Sequence, residues 1–277
     1  MPNTSDLYLL TAITNLHAGS GEGDFSIVDK QVQRDPITSL PCIHASGIKG
    51  SLREAIEPPQ QPVSSDILTL FGSQVKPDNP SQKSTQGLYQ YFDAKLLVLP
   101  IRSSHALFFR ATCPAVIRQI LHDDEIYGQN ISNNMKTDLE ALASISVIQG
   151  SPIVFETVPT CHRLEDFQTI TCKKDLSKEV IDLLGSRVAL LNDQDFKKMA
   201  NLLPIIARNQ LENGISANLW YEEVVPRESR FYFHVIHPEN DPLLEEALTN
   251  LNGRVQIGAN ATVGYGLCTL SKIPKNA

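Results

Sequence analysis

The chain has 277 residues, a formal charge of −7 and 42% hydrophobic residues. That composition excludes a disordered chain or a coiled coil, and the length allows one large domain or two small ones with a core that needs no staples. No apolar run approaches the roughly 20 residues of a spanning helix, and MPNTSDLYLL lacks the basic start and apolar stretch of a signal peptide, so a cytoplasmic protein without membrane contact is expected. Cys42, Cys113, Cys161, Cys172 and Cys268 are odd in number, scattered and free of CxxC spacing. They read as reduced, buried thiols rather than disulfides or zinc ligands. The acidic balance runs against the basic face expected of a nucleic-acid binder, but binding needs only a local patch. Glu222, Glu223, Glu239, Asp241, Glu245 and Glu246 crowd the last quarter, while the stretch around Lys49 and Arg53 is more basic.

In chain order, residues 7–14 read as a buried first strand, followed by a turn-rich loop with Gly19, Gly21 and Gly23. Residues 26–33 alternate as a second strand, ended by Asp35-Pro36. Residues 46–57 read as a helix with Ser46 as N-cap and Pro58-Pro59 as its stop. Ile48, Leu52 and Ala55 form its packed side; Lys49 and Arg53, four apart, share the opposite face. Residues 74–87 form a polar surface loop, and residues 91–101 and 105–113 read as consecutive strands. Pro114 opens a helix through Leu121; a helix at 136–144, a strand at 152–158 and an amphipathic helical stretch at 175–203 follow. Beyond them lie a loop with Asn213-Gly214, a strand at 230–237, a helix LLEEALTNL closed by Asn252-Gly253, and a strand–glycine-rich loop–strand ending. There is no internal repeat and no long linker. The succession implies an α+β chain with an RRM-like or ferredoxin-like core carrying insertions.

The motifs carry chemistry only weakly when taken singly. Gly19–Gly23 and Gly258–Gly266 are neither a P-loop nor a dinucleotide fingerprint. Glycine lets backbone N–H groups approach a phosphate, but for either loop alone a tight turn is the preferred reading. Ser46–Arg53 offers a helix start beside two cations, which favours an anion; on spacing alone a solvated helix face is equally good. Asp29 can hold a hard cation or act as a base, although on pattern alone it is a solvent-facing strand residue. His17 stands alone, and no HExxH or GxSxG is present. Trp220 and Tyr221 can stack on bases, though core aromatics are commoner. These residues are compatible with a polyanion or phosphate ligand.

Read together, the segments resemble one family. Residues 17–53, HAGSGEG…IVDKQVQRDPITSLPCIHASGIKGSLR, are similar to the N-terminal signature of RAMP-superfamily CRISPR proteins, and IGANATVGYG is similar to that superfamily's glycine-rich loop. FDAKLLVLPIRS and LPIIARNQLENGISANLWYEEVVPRESRF narrow the resemblance to the multi-copy backbone subunit of the type III-B, or Cmr, complex. The resemblance implies a single modified-RRM palm over residues 1–277, with insertions near 58–90 and 155–225 and a thumb in the latter. It implies copies stacked along crRNA with other Cmr subunits, and cleavage of paired target RNA at regular intervals in antiviral defence. It assigns cleavage and a divalent metal ion, magnesium or manganese, to Asp29. It assigns RNA contact to Arg34, Ser46, Lys49, Gly50, Arg53, Arg208, Gly258, Asn260 and Gly264. Two departures stand out: Ala259 where glycine is often repeated, and Lys30 where an apolar residue is common. A scaffold that binds guide RNA without cutting is the alternative reading. A guide-processing endonuclease acting alone is disfavoured by the closeness to a backbone subunit.

Overall fold

The first strand is apolar on both faces, and both faces are covered. In this computed structural model, which describes residues 2–21, 28–57, 63–73, 84–172 and 174–275, β1 (Asn3–Ala12) is buried without a break from Ser5 to Leu10. The chain continues through β2 (Cys42–Ile43), α1 (Ala45–Ile56), α2 (Ser65–Phe71), β3 (Gln90–Tyr91), β4 (Ala94–Arg102), β5 (Phe108–Thr112), α3 (Pro114–Tyr127) and α4 (Asn133–Ala143). Then come β6 (Ile153–Val154), β7 (Arg163–Leu164), β8 (Phe167–Gln168), β9 (Ile170–Thr171), α5 (Lys178–Leu184), β10 (Val188–Leu190) and α6 (Asp193–Asn201). The remainder holds β11 (Ile205–Glu212), β12 (Ile215–Glu223), β13 (Arg230–Pro238), α7 (Leu243–Asn250), β14 (Arg254–Gln256) and β15 (Leu267–Lys272). Among the described residues no helix is long and apolar enough to cross a membrane.

A mixed sheet runs β14-β15-β1-β13-β4-β5-β10-β6-β9. Its centre, β15-β1-β13-β4, is antiparallel at every junction. The register sets Leu7 opposite His234 and Tyr8 opposite Phe233, and the latter rings stack with centroids 5.7 Å apart. Such cross-strand aromatic pairs are the unit of sheet stabilisation. α1 lies between β1 and β4 in the chain and buries Ile48 and Leu52, one turn apart, as their spacing requires. It begins two residues earlier than Ser46 as N-cap implies: His44 is the N-cap and makes no side-chain cap bond. The Asp93 carboxylate takes over that role, accepting the Ala45 N–H at 2.7 Å.

Four sequence expectations change. Residues 28–35 form no continuous strand, only isolated bridges to Val32, Lys30 and Arg34; residues 26–27 of that segment, Gly23, the Pro58-Pro59 stop and residues 74–83 lie outside the described residues. The helical stretch at 175–203 is α5 and α6 separated by β10, whose three residues are all buried and pair in parallel with β5. Gly185 forces the break: its φ is +90°, and a Cβ there would lie 2.3 Å from Arg110 Cδ. Finally, Asn213-Gly214 is the turn of a two-stranded hairpin, β11–β12, with positive φ at both residues. That is the type I′ geometry that suits the twist of paired strands. Among the described residues the hairpin pairs with no other strand, and it is exposed over most of its length. The expected strand at 152–158 is shortened to β6.

Candidate functional site

Asp29 is exposed, and the backbone of the returning hairpin fixes where it stands. Lys30 bridges Glu222 in the parallel sense: its N–H donates to Tyr221 O at 3.1 Å, and Glu223 N–H donates to Lys30 O at 2.9 Å. The Tyr221 N–H is left facing Asp29, whose Oδ2 accepts it at 2.7 Å. Oδ1 has no partner among the described residues. The loop is tied down further along by Glu223, whose Oε2 accepts the Val32 N–H at 3.1 Å while its Oε1 pairs with Arg34 at 2.5 Å. Arg34 also donates to Ser39 O, Ala200 O and Asn201 Oδ1, each at 3.0 Å. Arg34, which the resemblance assigns to RNA contact, is thus held by acceptors within the protein. A guanidinium only 21% exposed has to be compensated inside the protein, and this one joins loop 28–41 to α6 and β12.

Beside this loop His17 and the second glycine-rich segment meet at a buried carboxylate. Glu222, 1% exposed, receives the Asn260 side-chain N–H on Oε1 and lies 3.6 Å from both His17 Nδ1 and Arg208 Nε. His17 Nδ1 is 2.7 Å from Glu223 O, which makes that nitrogen the protonated one. Ala259 N–H donates to His17 O at 2.9 Å. A Cβ on Gly258 would lie 2.4 Å from the same oxygen, at a φ of +79°. Gly258 is thus needed for close packing of one loop on the other. Arg208 lays its guanidinium 4.5 Å over the Tyr265 ring, and its Nε and one terminal nitrogen have no hydrogen-bond acceptor. Gly264 is exposed, with open space about it. The structure brings Asp29, Arg208, Gly258 and Asn260 to one place, the root of the β11–β12 hairpin.

The α1 residues divide. Ser46 and Gly50 are exposed, and Lys49 is half-buried with no ion-pair partner among the described residues. Arg53 is 8% exposed and turned inward, bonded to Glu57 at 2.6 Å and to Gly72 O at 3.0 Å. It does not share an open face with Lys49, because the Gly72 carbonyl at the end of α2 needs a donor and the buried guanidinium needs acceptors. Nor is the helix start vacant for a phosphate, since Asp93 already stands there, with His44 Nδ1 at 3.8 Å. Trp220 is half-buried, with the Lys30 ammonium 5.1 Å over its ring, so that face is covered. Tyr221 is 40% exposed.

Among the described residues no group of three or more His, Cys, Asp or Glu side chains converges to form a metal cage. Asp29 alone, with Oδ1 open, fits a hard cation such as magnesium, which takes one carboxylate and completes its shell with water and phosphate oxygens. Sequence reasoning missed Glu222 and Glu223, counting them only as acidic crowding. Consecutive strand residues point to opposite faces, so an acidic doublet at the foot of a strand anchors both sides of it, and that signal was available.

The family model of the RAMP superfamily matches residues 9–269. The CRISPR system Cmr endoribonuclease Cmr4 of Pyrococcus furiosus is 28% identical over 292 residues, 96% of each chain. The CRISPR system CMR subunit Cmr4 of Saccharolobus solfataricus is 31% identical over 96 residues, 35% of this chain and 29% of that one. Among solved structures, a chain of the type III-B Cmr-beta complex in its apo state superposes with a TM-score of 0.77 at 20% identity, covering 98% of this chain and 97% of that one. Oligomeric Cmr4 from Pyrococcus furiosus superposes with a TM-score of 0.68 at 23% identity, covering 99% of each. These superpositions place the fold.

Proposed function

Because the chain belongs to the RAMP superfamily, matched over residues 9–269, we propose that it is the crRNA-binding backbone subunit of a type III-B CRISPR effector complex and cuts the target RNA paired to that guide. The observation that carries this reading is Asp29: an exposed carboxylate, one oxygen fixed by the Tyr221 N–H at 2.7 Å and the other without a partner among the described residues, at the root of a projecting hairpin. The order β15-β1-β13-β4, with α1 and α7 as its crossovers, supports a ferredoxin-like palm. The hairpin β11–β12, within the expected 155–225 insertion, serves as the thumb. End-to-end likeness to a Cmr endoribonuclease supports assembly with further copies of the chain, other Cmr subunits, crRNA and target RNA.

Sequence is read by guide–target pairing, so the protein needs only backbone contacts. Lys49 and Gly50 on α1 and Arg208 and Gly264 at the thumb root are the residues placed to make them. Where the thumb unstacks a target nucleotide, its 2′-OH comes into line with the adjacent phosphorus, and orientation of this kind lowers barriers greatly. Asp29 Oδ1 accepts the 2′-OH proton as the O–P bond forms. The 5′-oxygen leaves, taking a proton from water, and a 2′,3′-cyclic phosphate remains. Were Asp29 instead to hold a magnesium or manganese ion, that ion would supply charge neutralisation at the phosphate.

The test is Asp29→Asn in the reconstituted complex. Asn keeps the shape and removes the charge, so cleavage falls by roughly 100-fold or more while guide binding, target binding and assembly stay as in the wild type. A target with 2′-deoxy at the scissile position resists the wild-type complex. Wild-type cutting by Asp29→Asn would remove the catalytic assignment and leave a scaffold that does not itself cut.

A further inference from the structure

The carboxylate assigned to cutting and the hairpin assigned to setting where to cut are joined at one junction, and the Lys30 side chain crosses it. Asp29 has no strand of its own to fix it. Its position depends on three contacts with β12: Tyr221 N–H to Asp29 Oδ2 at 2.7 Å, Lys30 N–H to Tyr221 O at 3.1 Å, and Glu223 N–H to Lys30 O at 2.9 Å. All three are backbone bonds on the β12 side, and so set a distance without being tied to any residue type there. A further side-chain contact across the same junction, beside those of Glu223 to Val32 and Arg34, is the Lys30 ammonium, 5.1 Å over the Trp220 ring. Lys30 is exposed and has no carboxylate partner among the described residues, whereas Arg34, four residues on, is locked to Glu223. The ring is amphipathic and half-buried, and its N–H has no acceptor. Such a ring face attracts a cation more strongly as water is excluded from it.

We propose that Lys30 is a positioning residue, whose ammonium clamps the loop carrying Asp29 onto Trp220 at the thumb root and so keeps the cut in register with the thumb of the same subunit. This rests on the catalytic reading of Asp29. It also explains why a lysine is tolerated where an apolar residue is the expectation: both lay a long side chain on the indole, but the cation adds a directional attraction to the ring face. Target RNA that presses on the thumb moves β12, and Asp29 moves with it. The cut site follows the splayed nucleotide rather than the palm.

The experiment uses the reconstituted complex with a single-length target labelled at one end, and reads both the rate and the spread of cut positions. In Lys30→Met the apolar stem stays and the cation goes. Guide and target affinity are expected to hold, the rate to fall about fivefold, as a contact worth about 1 kcal/mol predicts, and cuts to appear at neighbouring phosphodiesters. Lys30→Arg restores both. In a Trp220→Leu background, Lys30→Met has no further effect, because the two side chains act as one contact. Wild-type rate and cut spread in Lys30→Met, with Asp29→Asn inactive, would overturn the clamp and leave the catalytic reading intact. Weaker target binding by Lys30→Met, undiminished in the Trp220→Leu background, would overturn it in favour of a phosphate contact. Full activity in Asp29→Asn would remove the reading underneath instead.

Discussion

Arg34→Ala tests whether the guanidinium serves the fold or the RNA. The substitution removes the donors to Ser39 O, Ala200 O and Asn201 Oδ1 and the cation facing Glu223. Glu223 keeps the Val32 N–H on Oε2, but its Oε1 is left as an uncompensated, nearly buried charge. Removing one partner of a fully buried pair costs about 3–5 kcal/mol. Here the side chains are 21% and 10% exposed, so water relieves part of the penalty and about 2–3 kcal/mol is expected. With a urea slope of about 3 kcal/mol/M for a chain of this size, the unfolding midpoint drops by roughly 0.7–1 M. The salt dependence of guide-RNA binding by the folded variant stays at the wild-type slope. Stability within about 0.5 kcal/mol of wild type, together with a slope shallower by roughly 0.7, would refute the structural role and make Arg34 a phosphate contact.

Two further outcomes are expected. Lys49→Ala, at a half-buried site with no ion-pair partner among the described residues, weakens RNA binding equally for all sequences and lowers the salt slope by roughly 0.7, read from binding curves at several salt concentrations; an unchanged slope would place Lys49 off the RNA path. His234 is 2% exposed, and burial lowers its pKa from 6.5 to about 4. Between those values the unfolded chain binds a proton that the folded chain does not, so stability present above pH 6.5 is lost as pH falls toward 4, by about 3 kcal/mol in all. Urea midpoints across that range, in wild type and His234→Phe, check it: the variant shows a correspondingly flatter dependence, and equal dependences would refute the assignment.

The parts of the fold that sequence made legible are those whose information is local. β1 and β13 announce themselves as apolar runs, α3 as a helix opened by Pro114, and α1 by the spacing of Ile48 and Leu52. β10 was not legible, because three buried apolar residues between two amphipathic segments continue a helical pattern as well as they form a strand. The hairpin carried the strongest turn signal in the chain, Asn213-Gly214. Its strands bury almost nothing, however, so the alternation that normally reveals a strand is absent: Ile205, Leu211, Ile215 and Leu219 are all more than half exposed.

The site was less legible than the fold for a related reason. Asp29 stood out from its neighbours only through resemblance, because what fixes it is the main-chain N–H of a residue 192 positions away, and a backbone donor leaves no trace in residue identity. Glu222 is the converse case. Its identity was plain, but a carboxylate 1% exposed among His17, Asn260 and Arg208 has meaning only once residues from three distant parts of the chain have met at the hairpin root. Gly258 makes that closure sterically possible, since any side chain there meets the His17 carbonyl. Gly258, one of the glycines that invited a phosphate-binding reading, therefore serves first to bring backbone against backbone. The chemistry it permits belongs to the few groups that this close approach leaves open at the surface, Asp29 Oδ1 first among them.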